Sequence, residues 1–190
     1  IYGSSPLARE ACKLIGEHYE LVGHIPSVNP ALSGTVDLPV VDDSVEHDIK
    51  LSLQYNKKLE NIENAFNVHT GLLPLWGGTD ILYHTLKLPS HQQGLTFHKM
   101  SESFDFGPII STATYPVLPS DDMVDLYDRM YTIFPTFVLS SLRLLEQLSE
   151  KHLELVFKDR PRIFKRHQVD VRDSELYQTT LKRLKGAYEY

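Results

Sequence analysis

Five residues near the start of the chain, Tyr2-Gly3-Ser4-Ser5-Pro6, constrain the fold more than any other stretch. They read as a strand end, a tight turn and a helix start. Ser5 can cap the helix, and Pro6 suits its first position, where a missing N–H costs nothing. Leu7, Ala11, Leu14 and Ile15 then recur at helical spacing, and the helix is predicted to reach about His18. The apolar segment 19–27 follows and reads as a buried strand. Strand, helix, strand in that order predicts a parallel unit of an α/β fold.

The remaining elements follow from the same signals. Turn residues and acids fill 28–47, with a short strand at 36–41. Strands are predicted at 48–53, 65–70, 93–100 and 107–117, and a helix at 78–88 with Asp80 as its cap. A long helix is predicted from Asp121 or Asp122 to about Ser149. Pro135 lies inside it, where the absent N–H and the ring predict a kink or break. A last helix is expected over 174–184. With 190 residues the chain suits one domain, 1–190, with a full core. It opens on Ile1, so a native start upstream is compatible with the reading.

Composition narrows the function. Hydrophobic residues make up 42% and charged residues 23%, as in ordinary soluble proteins. No apolar run approaches the roughly 18 residues of a membrane helix. The formal net charge is -6, and the densest basic run, Lys158 to Arg166, is broken by Asp159. A protein that grips phosphates needs a basic face. No nucleic acid and no membrane is therefore the expectation. The single Cys12 cannot close an internal disulfide, which favours a reducing, cytoplasmic setting, and it reads as buried packing. The nine histidines show no spacing that marks a metal site, so no metal is predicted.

Chemistry is signalled at Asn67 and His69, two residues apart at the end of a strand. That spacing sends both side chains to one face, with Phe66 and Val68 on the other. Ligands of parallel α/β sheets bind beyond the carboxyl ends of the strands. The pair alone reads sooner as two polar residues closing a strand and bonding to loop backbone. His98, alternating with Phe97 and Lys99, reads as a polar residue on the solvated face or as a ligand group. Trp76 reads as packing.

The stretch does not stand alone. In order come Asn67-Val68-His69, Gly71-Leu72-Leu73-Pro74, Gly78, Gly94-Leu95-Thr96-Phe97-His98 and Asp105-Phe106-Gly107-Pro108-Ile109-Ile110. This ordered set resembles the folate-dependent formyltransferase family, whose members act on glycinamide ribonucleotide, sugars or methionyl-tRNA. The match covers about 65–112; the first turn, Ile133-Phe134-Pro135 and 162–168 are similar to further family positions. The resemblance implies a Rossmann-like α/β domain, a mostly parallel central sheet flanked by helices. It implies transfer of a formyl group from the co-substrate 10-formyltetrahydrofolate to a primary amine. The acceptor would be a small molecule, either a nucleotide-linked amino sugar or glycinamide ribonucleotide, and a homodimer is compatible.

Residue by residue, the resemblance puts Asn67, His69 and Asp105 on catalytic positions. It puts Asn56, Lys57, Leu59, Glu102, Ser103 and Phe104 on segments that meet the folate, and Ser4, Ser5 and His98 on the acceptor side. Gly77-Gly78 stands where many sugar and methionyl-tRNA members carry Arg-Gly, which removes a charge from that side. The residues after the long helix are too few for the extra domain with which methionyl-tRNA members hold their tRNA. Two other readings stay open: a hydrolase that gives the formyl group to water with the same three side chains, and a non-catalytic folate-binding module.

Overall fold

A computed structural model describes residues 1–27, 36–55, 57–88, 90–148 and 163–164. In chain order the elements are α1 (Pro6–Ile15), β1 (Lys50–Leu53), β2 (Ala65–His69), β3 (Gly77–Gly78), α2 (Ile81–Lys87), β4 (Gln92–Lys99), β5 (Ile109–Pro116), α3 (Met123–Leu145) and β6 (Ile163–Phe164). The central sheet has the order β1-β2-β4-β5. β1 and β2 run parallel, and β4 and β5 add antiparallel. Beyond β1 the sheet continues through parallel bridges, Tyr2 to both Ser52 and Ile25, and His24 to Val40. The result is a mixed, mostly parallel sheet flanked by helices, the Rossmann-like α/β arrangement expected.

Local chemistry sets the helix ends. Ser5 caps α1, its hydroxyl oxygen accepting from the Ala8 N–H at 3.1 Å. The helix stops at Ile15, a turn short of the predicted end. Asp122 and Asp125 form a reciprocal capping box at the start of α3. The expected break at Pro135 does not occur, and α3 runs through it. Phe134, Phe137, Val138 and Leu139 around the proline are all buried, and their packing holds the helix across the one missing bond. Asp80 precedes α2 as predicted, but in a left-handed conformation (φ 56°) with no side-chain cap bond.

Segments 19–27 and 36–41 are not full strands; they contribute only the bridges at His24, Ile25 and Val40. Pro26 and Pro39 bring no N–H to a ladder, so the pairing cannot lengthen there. The predicted helix at 174–184 lies outside the described residues.

Alternation along the strands gives the sheet two unlike faces. Leu51, Leu53, Phe66, Val68, Leu95 and Phe97 join Leu7, Ala11 and Ile15 of α1 and Leu126, Met130, Phe134 and Val138 of α3 in one core. Phe66 stacks on Phe97 with centroids 5.6 Å apart. Cys12 belongs to this core, and burial pushes its thiol up to about 11, as expected of a packing residue. The other face carries Lys50, Ser52, Asn67, His69, Thr96 and His98. Register sets Ser52 beside Asn67 and Asn67 beside His98, with His69 beside Thr96. Among the described residues, no helix is long and apolar enough to cross a membrane.

Two substitutions gauge these forces by urea unfolding. Phe134→Ala, at a fully buried position, is expected to cost about 3–5 kcal/mol. Asp122→Ala, which removes only the cap, is expected to cost about 1 kcal/mol.

Candidate active site

Cross-strand pairing of β2 with β4 builds the first half of the site. The Asn67 amide nitrogen lies 3.1 Å from His98 Nε2, and His98 Nδ1 lies 3.0 Å from the Lys99 carbonyl oxygen. A carbonyl can only accept, so the imidazole proton sits on Nδ1 and Nε2 accepts from Asn67. The asparagine amide is thereby oriented and retains a second N–H. His98 is buried, which rules out the solvated-face alternative of its two readings. Burial lowers its pKa to about 4, against opposing effects of the Lys99 carbonyl bond and the Asp105 charge, and nearby His69 lowers it further. Its ring is neutral near pH 7.

The second half joins β2 to the loop before β5. His69 Nδ1 lies 3.4 Å from Asp105 Oδ1, and its Nε2 lies 2.6 Å from the Trp76 carbonyl oxygen. Both neighbours are acceptors, and a neutral imidazole can donate to only one of them. The other oxygen of Asp105 accepts from the Gly78 N–H at 2.6 Å. Asp105 takes a left-handed conformation (φ 55°), which aspartate tolerates better than most residues. Gly107 lets this loop return to β4: a Cβ there would lie 1.6 Å from the Lys99 carbonyl oxygen, so only glycine fits.

The turn after His69 is fastened from two sides. Thr96 donates its hydroxyl to the Gly71 carbonyl at 2.7 Å and accepts from the Leu73 N–H at 3.0 Å. Gln93, fully buried, accepts from the Leu72 and Gly94 N–H groups, each at 3.0 Å. Its amide nitrogen donates to Thr85 Oγ1 at 2.7 Å, and Thr85 donates to the Ile81 carbonyl at 2.8 Å. Helix α2 is thus tied to the turn that carries Trp76. Sequence reasoning missed the Trp76 carbonyl, the Gly78 amide and Gln93. The first two are main-chain groups without a side-chain signature.

Asn67, His98 and Asp105 line a cleft with Lys58, Ile62, Met100 and Ser101 to Phe104; it encloses about 360 Å³ including its open mouth. Glu102, Ser103 and Phe104, which the resemblance assigns to folate contact, line it. Lys57 is exposed and does not; its neighbour Lys58 does, paired with Glu102 at 2.9 Å. Leu59 is buried in a small cluster with Tyr2 and Ala65. Asn56 lies outside the described residues. Ser4 and Ser5 are buried and do not line the cleft. Their hydroxyl oxygens accept from the Ser27 and Ala8 N–H groups, each at 3.1 Å.

Comparison with known proteins fits this geometry into a wider group. Residues 57–139 match the family model described as formyl transferase. Over 145 residues the chain is 26% identical to the methionyl-tRNA formyltransferase of Streptococcus uberis, covering 70% of this chain and 46% of that protein. The chain spans less than half the length of the curated relatives it matches. Among solved structures it resembles the N-formyltransferase of Helicobacter canadensis in complex with folinic acid and dTDP-3-aminofucose. The TM-score there is 0.69 at 16% identity, over 95% of this chain and 77% of that one. It also resembles the phosphoribosylglycinamide formyltransferase of Anaplasma phagocytophilum, with a TM-score of 0.66 at 18% identity over 88% and 96% of the two chains. At these identities the likeness is one of fold.

The buried neutral His98 has a stability signature. Its folded pKa of about 4 lies below its ordinary value of 6.5. Between those values the unfolded chain binds a proton that the folded chain refuses. Stability should therefore fall as pH drops from about 6.5 to about 4, by on the order of 3 kcal/mol from this residue. His98→Gln should flatten that arm of the pH–stability curve, measured by urea unfolding at a series of pH values.

Proposed function

We propose, from the match of residues 57–139 to the formyl transferase family model, that this chain moves a formyl group from 10-formyltetrahydrofolate to the primary amine of a small acceptor. The observation that carries the reading is the approach of Asp105 to His69 at 3.4 Å, with Asn67 on the same strand face and Asn67 and Asp105 both lining the cleft. In this reading residues 101–104 and Lys58 receive the folate, and the reacting carbon sits above Asn67. A single domain across 1–190 is the unit proposed to do the work.

The amine nitrogen attacks the formyl carbon, and a tetrahedral oxyanion forms. The Asn67 amide, held by His98, donates its second N–H to that oxygen without reorganising. In this reading His69 exchanges its Nε2 contact with the Trp76 carbonyl for the attacking amine, takes the proton the amine loses and delivers it to the folate nitrogen, whose bond to the formyl carbon then breaks. One C–N bond forms, one breaks, and one proton passes between the nitrogens. Asp105 orients the imidazole and stabilises it while it carries the extra proton. Donors fixed before reaction are the effective kind, since nothing need turn during the step.

Two acceptors fit: a nucleotide-linked amino sugar and glycinamide ribonucleotide. The proteins of similar fold from Helicobacter canadensis and Anaplasma phagocytophilum represent one of each. The net charge of -6 favours such small acceptors over a tRNA, although the curated relatives include methionyl-tRNA formyltransferases.

The test is tetrahydrofolate release from 10-formyltetrahydrofolate, alone and with each candidate amine. Release only with an amine is expected. Release into water alone would make the protein a hydrolase, and neither release nor binding would make it a non-catalytic module. Asn67→Ala should lower turnover by about a hundredfold or more with folding intact. Asp105→Asn should cripple turnover and change the pH–rate profile. Wild-type rates in either variant would remove that side chain from the mechanism.

A further inference from the structure

The carboxylate of Asp105 is held in place by a group that sequence motifs do not reveal. Its Oδ2 accepts from the Gly78 N–H at 2.6 Å, while its Oδ1 faces His69 Nδ1 at 3.4 Å. The residue sits in a loop, with a left-handed backbone, so no regular element of its own fixes the side chain. Its aim therefore depends on where the Gly78 amide is.

Gly78 is itself poorly determined by its own sequence. It follows another glycine, has no side chain to pack, and takes a φ of 96°, a region that favours glycine. Glycine pays more conformational entropy than any other residue when fixed. The structure supplies what fixes it: β3 pairs parallel with β6, far along the chain, with Gly77 beside Ile163 and Gly78 beside Phe164. Three links then run in series. The β6 backbone holds the β3 backbone, the Gly78 amide holds one carboxylate oxygen, and the other oxygen faces the imidazole.

We propose that the strand Ile163–Phe164 is a positioning element for the Asp105 carboxylate: by pairing with Gly77–Gly78 it sets the Gly78 N–H that aims Asp105 at His69. The claim concerns backbone pairing, so the identities of the two side chains matter little to it. It touches neither folate nor acceptor. Its effect on turnover rests on the formyl-transfer reading above; its effect on the Gly78 amide does not.

The experiment uses the full chain and two pairs of substitutions. Ile163→Pro with Phe164→Pro removes both N–H groups and restricts the backbone. Ile163→Val with Phe164→Leu keeps the backbone and is the conservative control. The first readout is hydrogen exchange of the Gly78 amide, followed by NMR. Exchange should speed up by about tenfold or more in the proline variant and stay at the wild-type rate in the control. The second readout is turnover. In the proline variant kcat should fall about tenfold or more, with KM for 10-formyltetrahydrofolate within about twofold. In an Asp105→Asn background the same prolines should cost little more, since elements acting through one group are not additive.

Unchanged Gly78 exchange in the proline variant overturns the proposal. So does an undiminished proline effect in the Asp105→Asn background, or a loss in the control as large as in the proline variant. If the wild-type protein transfers no formyl group at all, the functional reading fails, and the exchange measurement alone decides: acceleration supports the positioning role and constancy overturns it.

Discussion

Strand β2 has to satisfy an apolar core on one side and a polar cleft on the other within five residues. Phe66 and Val68 enter the core between α1, α3 and the neighbouring strands. Asn67 and His69 therefore have to emerge on the opposite face. A slip of one residue would bury the asparagine and the histidine in the core and expose the two apolar side chains, a cost no local adjustment could offset. The hydrophobic register thus fixes the chemical register. The pairing of Asn67 with His98 and of His69 with Thr96 follows from it directly.

Around that strand the polar groups hold one another. Asn67 is oriented by a histidine that burial keeps neutral, and the turn beyond His69 is tied to β4 by Thr96 and to α2 through Gln93 and Thr85. This saturation is what a low-dielectric site requires, because an unpaired buried polar group is costly. The mouth of the cleft differs. The Lys58–Glu102 pair is largely exposed, and such pairs contribute little. A ligand can displace this contact at small cost while the floor of the site stays fixed.

Much of this was legible in the sequence. The period of two at 65–70, and the Ser-Pro and Asp punctuation before α1 and α3, gave element types that the structure bears out. Where the reading failed, the competing force can be named. Prolines reduced 19–27 and 36–41 to isolated bridges, and core packing carried α3 through Pro135. Alternation left His98 open between a solvated residue and a ligand group; its burial against Asn67 depends on cross-strand packing that spacing does not reveal. Spacing showed that Asn67 and His69 share a face. It could not show Asp105 near them, since that approach depends on the close passage of Gly107 over β4; only the ordered motif pointed there. That Lys58 and not Lys57 lines the cleft could not be read in advance, because a loop has no periodicity.

The left-handed backbone at Asp105 has a consequence for how this position can vary. Three amino acids adopt that conformation with ease: glycine, asparagine and aspartate. Of the three, aspartate alone brings a negative charge. Glutamate has the charge but a poorer fit to the dihedral angles, so lengthening the acid by one methylene would reshape the loop as well as move the carboxylate. The geometry of the main chain thus favours the same residue whose charge the proposed reaction calls for, each for its own reason.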